Sequence, residues 1–439
     1  MRSMRRAGRI HGGRGETVPR PDGRCFGPRS RRVGAVLTAL SALIGTSLVT
    51  GPVAVAAGAD SCALPRTDTH HSEGLDTWHP GYPRPDGELD ALMVFLSFPE
   101  ARPATTPERL AADYFPETSD FFARASYGTF TLRPHPVPRW FEMAADSRAY
   151  GIARDWAPDL RGAYLHDAVT AVDPHVDFGA YDVVYLVADP DAPGVNSDAT
   201  KVVNLDRPIT ADGTELRRVV TVFEKHPPDR NVLAHETLHL FDLPDLYHQP
   251  EDDDGDWDTH VGDWDLMGSQ FGLSPEPLAW HKWKLGWLDG RGIDCRVEPG
   301  TTRHAVRAVS APRRDGGLPG TTDTRLVVVR TGRSEVLAIE AREPSGNDVT
   351  ACTSGVLVYR VRSDVPSAHG PVKVVDGHPE GGACHQLSVY PPLADAPLGP
   401  GESVEVDADG GTVRVTVGGR TAAGWAVEVA VRGVPGTPR

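Results

Sequence analysis

Hydrophobic positions in the first half of the chain alternate between short apolar runs and helix-like stretches. Apolar runs at 91–96 and 182–187 predict buried strands, and the alternating run at 217–223 predicts a third. Three segments have the apolar spacing of helices: 106–125, 158–172 and 229–241. Because strand and helix patterns alternate, the sequence predicts an α/β domain over residues 89–294.

The pattern changes in the second half, where no helical spacing is found. Short β-branched runs separated by Gly and Pro turns occupy 326–329, 336–339, 355–361, 403–406, 412–417 and 425–431. Such spacing is typical of a β-sandwich or barrel, so residues 295–439 are expected to form an all-β domain. Residues 58–88 are rich in Pro, Gly, His and Asp without periodicity, which predicts a pro-segment or an extended lead-in.

The N-terminus has the layout of an export signal. Three arginines within 29–32 precede an apolar run at 33–49 and a small-residue stretch at 54–57. The alternative is a membrane anchor, but the run is shorter than the roughly 20 apolar residues that a spanning helix needs. We therefore expect residues 1–57 to be a leader and signal peptide. The mature protein is expected to be secreted and to have no membrane partner.

Net charge narrows the possible partners. Residues 1–57 contribute +8 to a total of −15, so the rest of the chain carries −23. A surface this acidic repels the phosphates of nucleic acids and anionic membranes, and it favours solubility. We expect a monomer that does not bind nucleic acid.

The segment from Asn231 to Phe241 contains the pattern H-E-x-x-H, formed by His235, Glu236 and His239. Residues four apart lie on one helix face, so both imidazoles reach one ion at about 2.0–2.1 Å. Glu236 is adjacent and reaches water at the metal without binding the ion. The alternative is a chance pentapeptide on an ordinary surface helix.

Flanking residues define the limits of this helix. Asp229 or Asn231 is expected to cap its start, and Pro244 disfavours helical geometry at Leu243 and so ends it.

The residues that follow carry a resemblance to a known family. The continuation Asp242-Leu243-Pro244-Asp245-Leu246-Tyr247 is followed by W-D-L-M-G-S at 264–269 and by K-W-K-L-G-W at 282–287. Together these motifs resemble the immune inhibitor A family of secreted bacterial zinc peptidases, with similarity over roughly residues 88–435. The resemblance implies a metzincin-like α/β zinc peptidase domain with a mixed sheet and an active-site helix, followed by an all-β domain.

The resemblance also assigns roles to individual residues. It implies that His235 and His239 bind zinc, that Glu236 is the general base, and that Asp245 is the third ligand, six residues after the second His. It places Met267 in a turn that packs beneath the metal.

One position departs from the family pattern, because Asp242 replaces the Gly of H-x-x-G. That Gly adopts positive φ at little cost, and Asp is among the better-tolerated replacements there. If the turn is lost, the alternative third ligands are Glu276, Asp265 or a residue of the acidic loop at 251–258.

The function expected from these residues is zinc-dependent hydrolysis of peptide bonds in protein or peptide substrates. Two alternatives stay open. One is a catalytically inactive exported binding or adhesion module that retains the peptidase fold, a possibility prompted by Asp242. The other is a zinc hydrolase that acts on a non-peptide bond.

The remaining features concern metals, cysteines and tryptophans. The carboxylates at 251–258 surround a Gly and suit calcium, with a solvated acidic loop as the alternative. The four cysteines after the leader predict two disulfides, and Cys352–Cys384 is the preferred pair. The alternative for Cys62 is a thiolate that occupies the zinc of a latent zymogen. Trp280, Trp283 and Trp287 are expected to pack against the domain core.

Overall fold

The computed structural model of the chain describes residues 58–249, 256–313 and 323–433. The predicted leader and signal peptide, residues 1–57, lie outside the described residues. So do residues 251–255, the first five of the predicted calcium loop at 251–258.

A five-stranded mixed sheet forms the first part of the fold. Its strands are β1 (Gly87–Ser97), β2 (Phe130–Glu142), β3 (Val183–Ala188), β4 (Lys201–Ala211) and β5 (Thr214–Val222). They are ordered β2-β1-β3-β5-β4, and β4 alone runs antiparallel to its neighbour. The three strands predicted from the apolar runs correspond to β1, β3 and β5. The sheet therefore ends in an antiparallel edge strand, β4.

The helices are few and short. They are α1 (Pro107–Ala111), α2 (Glu117–Ala125), α3 (Pro158–Val172), α4 (Val232–Leu240) and α5 (Ala279–Lys284). The prediction of α3 is confirmed. The prediction of one helix over 106–125 is wrong, because Pro116 separates two helices. Proline has no N–H to donate, and its ring clashes with the preceding turn of a helix.

Strand β2 was missed because Pro134, Pro136 and Pro138 argue against a strand. At the edge of a sheet these prolines are tolerated, since the missing N–H groups face away from the neighbouring strand.

Two further sheets follow. Their strands are β6 (Ile293–Arg296), β7 (Gly300–Val306), β8 (Leu326–Arg330), β9 (Glu335–Arg342), β10 (Gly355–Arg362), β11 (Val372–Val374), β12 (Ser403–Ala408), β13 (Gly411–Thr421) and β14 (Gly424–Gly433). One sheet has the order β11-β10-β9-β8-β6 and the other β12-β13-β14-β7. All six β-branched runs predicted from the sequence lie in these strands.

The sheet centred on β9 is buried on both faces. Val336 and Ala338 belong to the same hydrophobic cluster as α4, whereas Leu337 and Ile339 pack with β13 and β14. The two C-terminal sheets therefore form a sandwich, one layer of which also packs against the first part of the chain. The fold is mixed α/β with several sheets, compatible with an α/β domain followed by a β domain.

The four cysteines of the described residues form two pairs at disulfide distance. Cys62 pairs with Cys295, and Cys352 pairs with Cys384 as preferred from the sequence. Since Cys62 is engaged with Cys295, it is not available as a thiolate at the predicted metal site. Within the described ranges, none of the helices has the length and apolar character needed to cross a bilayer.

Arg342, at the end of β9, connects the sandwich to the first part of the chain. Its fully buried guanidinium contacts the carboxylates of Glu340 and Asp348. It also donates to the carbonyl oxygens of Trp264, at 3.1 Å, and Ser274, at 2.9 Å. Trp264 lies three residues before Met267, so this arginine fixes the segment that leads to the predicted metal site.

We expect Arg342→Met to lower the free energy of unfolding by about 3–5 kcal/mol, because two buried carboxylates lose their cation. Arg303→Met is the matched control, since its side chain is 85% exposed and pairs with Glu428 at the surface; little change is expected there. Urea unfolding followed by tryptophan fluorescence measures both. An equal effect of the two substitutions would contradict the role of Arg342.

Candidate metal centre

Helix α4 carries the H-E-x-x-H pattern and lies inside the protein. All nine of its residues are buried. His235 and His239 point to the same side, with ring centroids 4.9 Å apart. The expected side-chain cap is not observed: Asn231 occupies the N-cap position at φ +60° without a capping hydrogen bond, and Asp229 accepts from Gln270 instead. Packing of the buried helix, and not a side-chain cap, therefore holds His235, Glu236 and His239 in place.

Asp245 meets both histidines. Its Oδ1 lies 3.2 Å from Nε2 of His235 and 3.0 Å from Nε2 of His239. The three ligand atoms lie within 4.8 Å of one another. Within the part of the chain that the structure describes, no other three His, Cys, Asp or Glu side chains converge this closely.

Backbone carbonyl groups fix the orientation of both imidazoles. Nδ1 of His235 donates to the carbonyl of Leu266 at 3.0 Å, and Nδ1 of His239 donates to the carbonyl of Leu243 at 2.8 Å. A carbonyl oxygen only accepts, so the proton of each neutral ring sits on Nδ1. Each Nε2 is then left with a lone pair for a metal, an arrangement typical of metal-binding histidines.

The turn between His239 and Asp245 keeps the required backbone shape. Asp242 adopts φ +66°, in the left-handed region that Gly enters at little cost. Asp245 is held further by Ser367, whose hydroxyl accepts from its N–H at 2.8 Å and donates to its Oδ2 at 3.2 Å. With Asp242 in this conformation, Asp245 lies beside both histidines.

The alternative third ligands lie elsewhere. Asp265 accepts hydrogen bonds from the N–H groups of Met267 and Leu278, at 2.7 and 2.8 Å, and contacts His281. Glu276 pairs with Lys282. Both carboxylates are fully buried in these networks, away from the cluster of the two histidines and Asp245.

Met267 is fully buried, and its carbonyl accepts from Leu246 at 2.8 Å. The backbone turn around Met267 thus contacts the segment that carries Asp245. Its neighbour Leu266 holds His235, so this short stretch contacts one predicted ligand directly and the residue that follows another, Asp245.

The three predicted ligands and Glu236 are electrostatically coupled. Burial lowers the pKa of His239, but the nearby Asp245 carboxylate outweighs this and raises it to about 9. Burial favours neutral Asp245, yet the charge of His239 and the bond to His235 hold its pKa well below the usual range. Burial raises the pKa of Glu236, which accepts from the N–H of Val202 at 2.7 Å. Binding of a metal cation would displace protons from the histidines.

A cleft of about 690 Å³ opens over this cluster. Helix α4 forms its floor, and Lys201 and Val202 of β4 lie along its wall. Its lining also includes Tyr247 and Phe271, and the side chain of Phe271 is half exposed. A molecule that enters this cleft therefore has access to Glu236 and to the converging ligand atoms.

A second network lies behind the cluster. His281 is fully buried between two carboxylates: its Nδ1 lies 2.9 Å from Asp265 and its Nε2 lies 3.0 Å from Glu73. Burial lowers the pKa of His281, but the charges of Glu73 and Asp265 outweigh it and raise the value to about 10. His281 is therefore protonated at neutral pH and neutralises part of the charge of its partners.

Sequence reasoning assigned no role to His281 or Glu73. A lone acidic residue in an aperiodic segment 208 positions away gives no local signal. The tryptophan prediction fares better, since Trp280 and Trp287 are fully buried. Their indole N–H groups donate to carbonyls of Glu73 and Pro85, at 3.2 and 2.8 Å.

His281→Gln is expected to destabilise the protein by about 3–5 kcal/mol at pH 6, because two buried carboxylates lose their cation. The folded-state pKa of about 10 exceeds the ordinary 6.5, so the stabilisation is complete below pH 6.5 and is lost as pH rises toward 10. The stability gap between wild type and variant should therefore narrow over this interval. Chemical unfolding at several pH values tests this, and a constant gap would contradict it.

No protein-family model matches the chain, and no curated protein matches it. The function is therefore inferred from the convergence of His235, His239 and Asp245, from helix α4 and from the cleft above them.

Proposed function

We propose that this chain is an exported, zinc-dependent endopeptidase with a metzincin-like catalytic domain, which hydrolyses peptide bonds in protein or peptide substrates. The observation that carries the proposal is the convergence of His235, His239 and Asp245 in an open cleft, with Glu236 beside them. Two disulfide-distance cysteine pairs are in keeping with export, since disulfides persist in oxidising compartments.

The donor set suits zinc. Two imidazoles, whose neutral form carries its proton on Nδ1 and leaves Nε2 to a metal, and one carboxylate form a three-ligand set of the kind that catalytic zinc sites use, which leaves a position open. His235, His239 and Asp245 would hold the ion. When bound, zinc supplies Lewis-acid chemistry that acidifies water and polarises a carbonyl group.

Glu236 performs the proton transfer in this proposal. Its carboxylate lines the cleft, and the N–H of Val202 orients it through Oε2. It accepts the proton of the attacking water and delivers it to the nitrogen of the departing amine. The carbon–nitrogen bond of the peptide breaks, and the water oxygen ends in the new carboxylate.

The edge strand β4 favours a peptide as the substrate. It is the last strand in the order of the first sheet, and its residues Lys201 and Val202 border the cleft. An extended peptide pairs with such an edge through backbone hydrogen bonds, largely independent of its side chains. A cleft with one such wall orients a polypeptide along the floor that α4 provides.

The alternative of an inactive binding module was prompted by Asp242. Since this residue adopts positive φ and Asp245 remains beside both histidines, no structural observation favours loss of the site.

Glu236→Gln is expected to retain zinc but to lower kcat for casein cleavage by at least about 100-fold, because the proton acceptor is gone. Metal content is measured by mass spectrometry of the purified protein alongside the protease assay. Glu298→Gln changes an exposed glutamate and should leave both unaltered. Undiminished cleavage by Glu236→Gln would remove the base from the mechanism. Zinc-loaded wild type that cleaves no protein would instead favour the binding module or another hydrolase.

Asp245→Ala is expected to weaken zinc binding by more than about 100-fold, because a direct ligand is lost. Loss of a residue that only hydrogen-bonds to a ligand typically weakens metal binding by about 10–100-fold. Competition with a chromogenic chelator measures the affinity. Asp198→Ala removes an exposed carboxylate from the same cleft, serves as the control and should bind zinc like the wild type. Wild-type affinity in Asp245→Ala would assign the third position to another group.

A further inference from the structure

The carboxylate of Asp242 is fully buried and is surrounded by cationic and hydrogen-bonding groups. Arg66 reaches it with both terminal nitrogens, His71 with Nδ1 at 3.3 Å, and Lys284 with Nζ at 3.4 Å. Lys284 also donates to the carbonyl of Asp242 and, at 2.7 Å, to that of Ser72. Most of these groups come from the aperiodic segment before β1. Residues 62–86 of that segment are called the N-terminal strap below.

Asp242 lies in the middle of the turn that joins His239 to Asp245. A Gly at this position would supply only the left-handed backbone, whereas Asp supplies that backbone together with a buried anionic contact. A buried carboxylate without a cation is strongly disfavoured, so Asp242 requires Arg66 and Lys284. The turn between two predicted ligands is thereby tied to the strap.

The strap contacts the other side of the site through Glu73. Glu73 binds His281, which binds Asp265, and Asp265 accepts from the N–H of Met267. The preceding carbonyl, that of Leu266, accepts from Nδ1 of His235. The strap therefore reaches the surroundings of His235 as well as those of His239 and Asp245.

The strap is itself firmly held. Leu75 donates to the carbonyl of Leu64 at 3.0 Å, which closes the strap into a loop. Gly74 packs so tightly that a Cβ there would lie 2.3 Å from the Cα of Arg66. The hydroxyl of Ser72 donates to the carbonyl of Ser363 at 3.0 Å, and Cys62 pairs with Cys295. Departure of the strap would leave Asp242, His281 and Lys284 as buried groups with fewer partners.

We propose that the N-terminal strap is a permanent part of the metal centre rather than a removable pro-segment, and that Asp242 is the positioning residue through which Arg66 and His71 fix the turn carrying Asp245. The inference deepens the proposed zinc-peptidase function and rests on it for the identity of the metal. The contacts within the strap do not depend on that identity.

The decisive variant is Asp242→Gly, because Gly suits the positive φ of this position and lacks the carboxylate. If the carboxylate positions the turn, zinc affinity measured by chelator competition should fall by about 10–100-fold. Arg66→Met should act similarly. The double variant should be no worse than the weaker-binding single variant, because both substitutions remove one contact. Arg84→Met, an exposed arginine of the strap, is the control and should bind zinc as the wild type does.

Two results would overturn the proposal. One is Asp242→Gly with wild-type zinc affinity and unchanged or higher thermal stability, which would make Asp242 a mere turn residue. The other is an active, secreted protein whose first residue, determined by intact mass and N-terminal sequencing, lies after position 86. The expected mature protein begins before Cys62.

Melting temperatures distinguish failure of the strap proposal from failure of the proposed zinc-dependent function. If the wild type takes up no zinc, the metal proposal fails, while non-additive losses of melting temperature in the Arg66 and Asp242 variants still support the strap. Additive losses in that case would count against it.

Discussion

The site depends on one constraint, that two imidazoles one helical turn apart present the same nitrogen to one point. Spacing along α4 brings the rings together, but it does not determine which nitrogen faces the cleft. The carbonyls of Leu266 and Leu243 determine this by accepting from Nδ1. Both belong to irregular segments that follow the helix, so the shape of those segments decides whether the histidines serve as ligands. The buried polar contacts around the site fix these two segments and, with them, the two carbonyl groups that orient the imidazoles.

Local signals predicted the parts of the fold that depend on local chemistry. The helix spacing placed His235, Glu236 and His239 together, and apolar runs located β1, β3 and β5. The prediction failed where proline is compatible with more than one structure. Pro116 divides a helix, whereas the prolines of β2 are accepted at a sheet edge. Only the position of the strand in the sheet distinguishes these cases, and that position is a property of the whole fold.

Long-range polar contacts were beyond prediction for a different reason. Arg66 and Asp242 are 176 positions apart, and neither lies in a periodic segment. Composition made residues 58–88 look expendable, because Pro, Gly and His without periodicity are typical of linkers and pro-segments. The same residues contribute a buried carboxylate, a buried imidazole and a cysteine to the interior. Low periodicity is therefore a poor guide to whether a segment belongs to a core held by charges.

The charged interior around the site has a thermodynamic cost that hydrophobic packing would avoid. Buried ion pairs seldom stabilise a protein more than apolar residues of the same volume. Ion pairs and apolar contacts differ in directionality. A carboxylate accepts from a few donors at preferred angles, whereas apolar side chains can shift against one another and stay in contact. At Asp242 the backbone needs only a residue that accepts positive φ, and Gly meets that need without any partner. An Asp at this position is favourable when a fixed orientation of the turn matters more than easy formation of the turn. That is the case here, because the turn must place the carboxylate of Asp245 beside the imidazoles of His235 and His239.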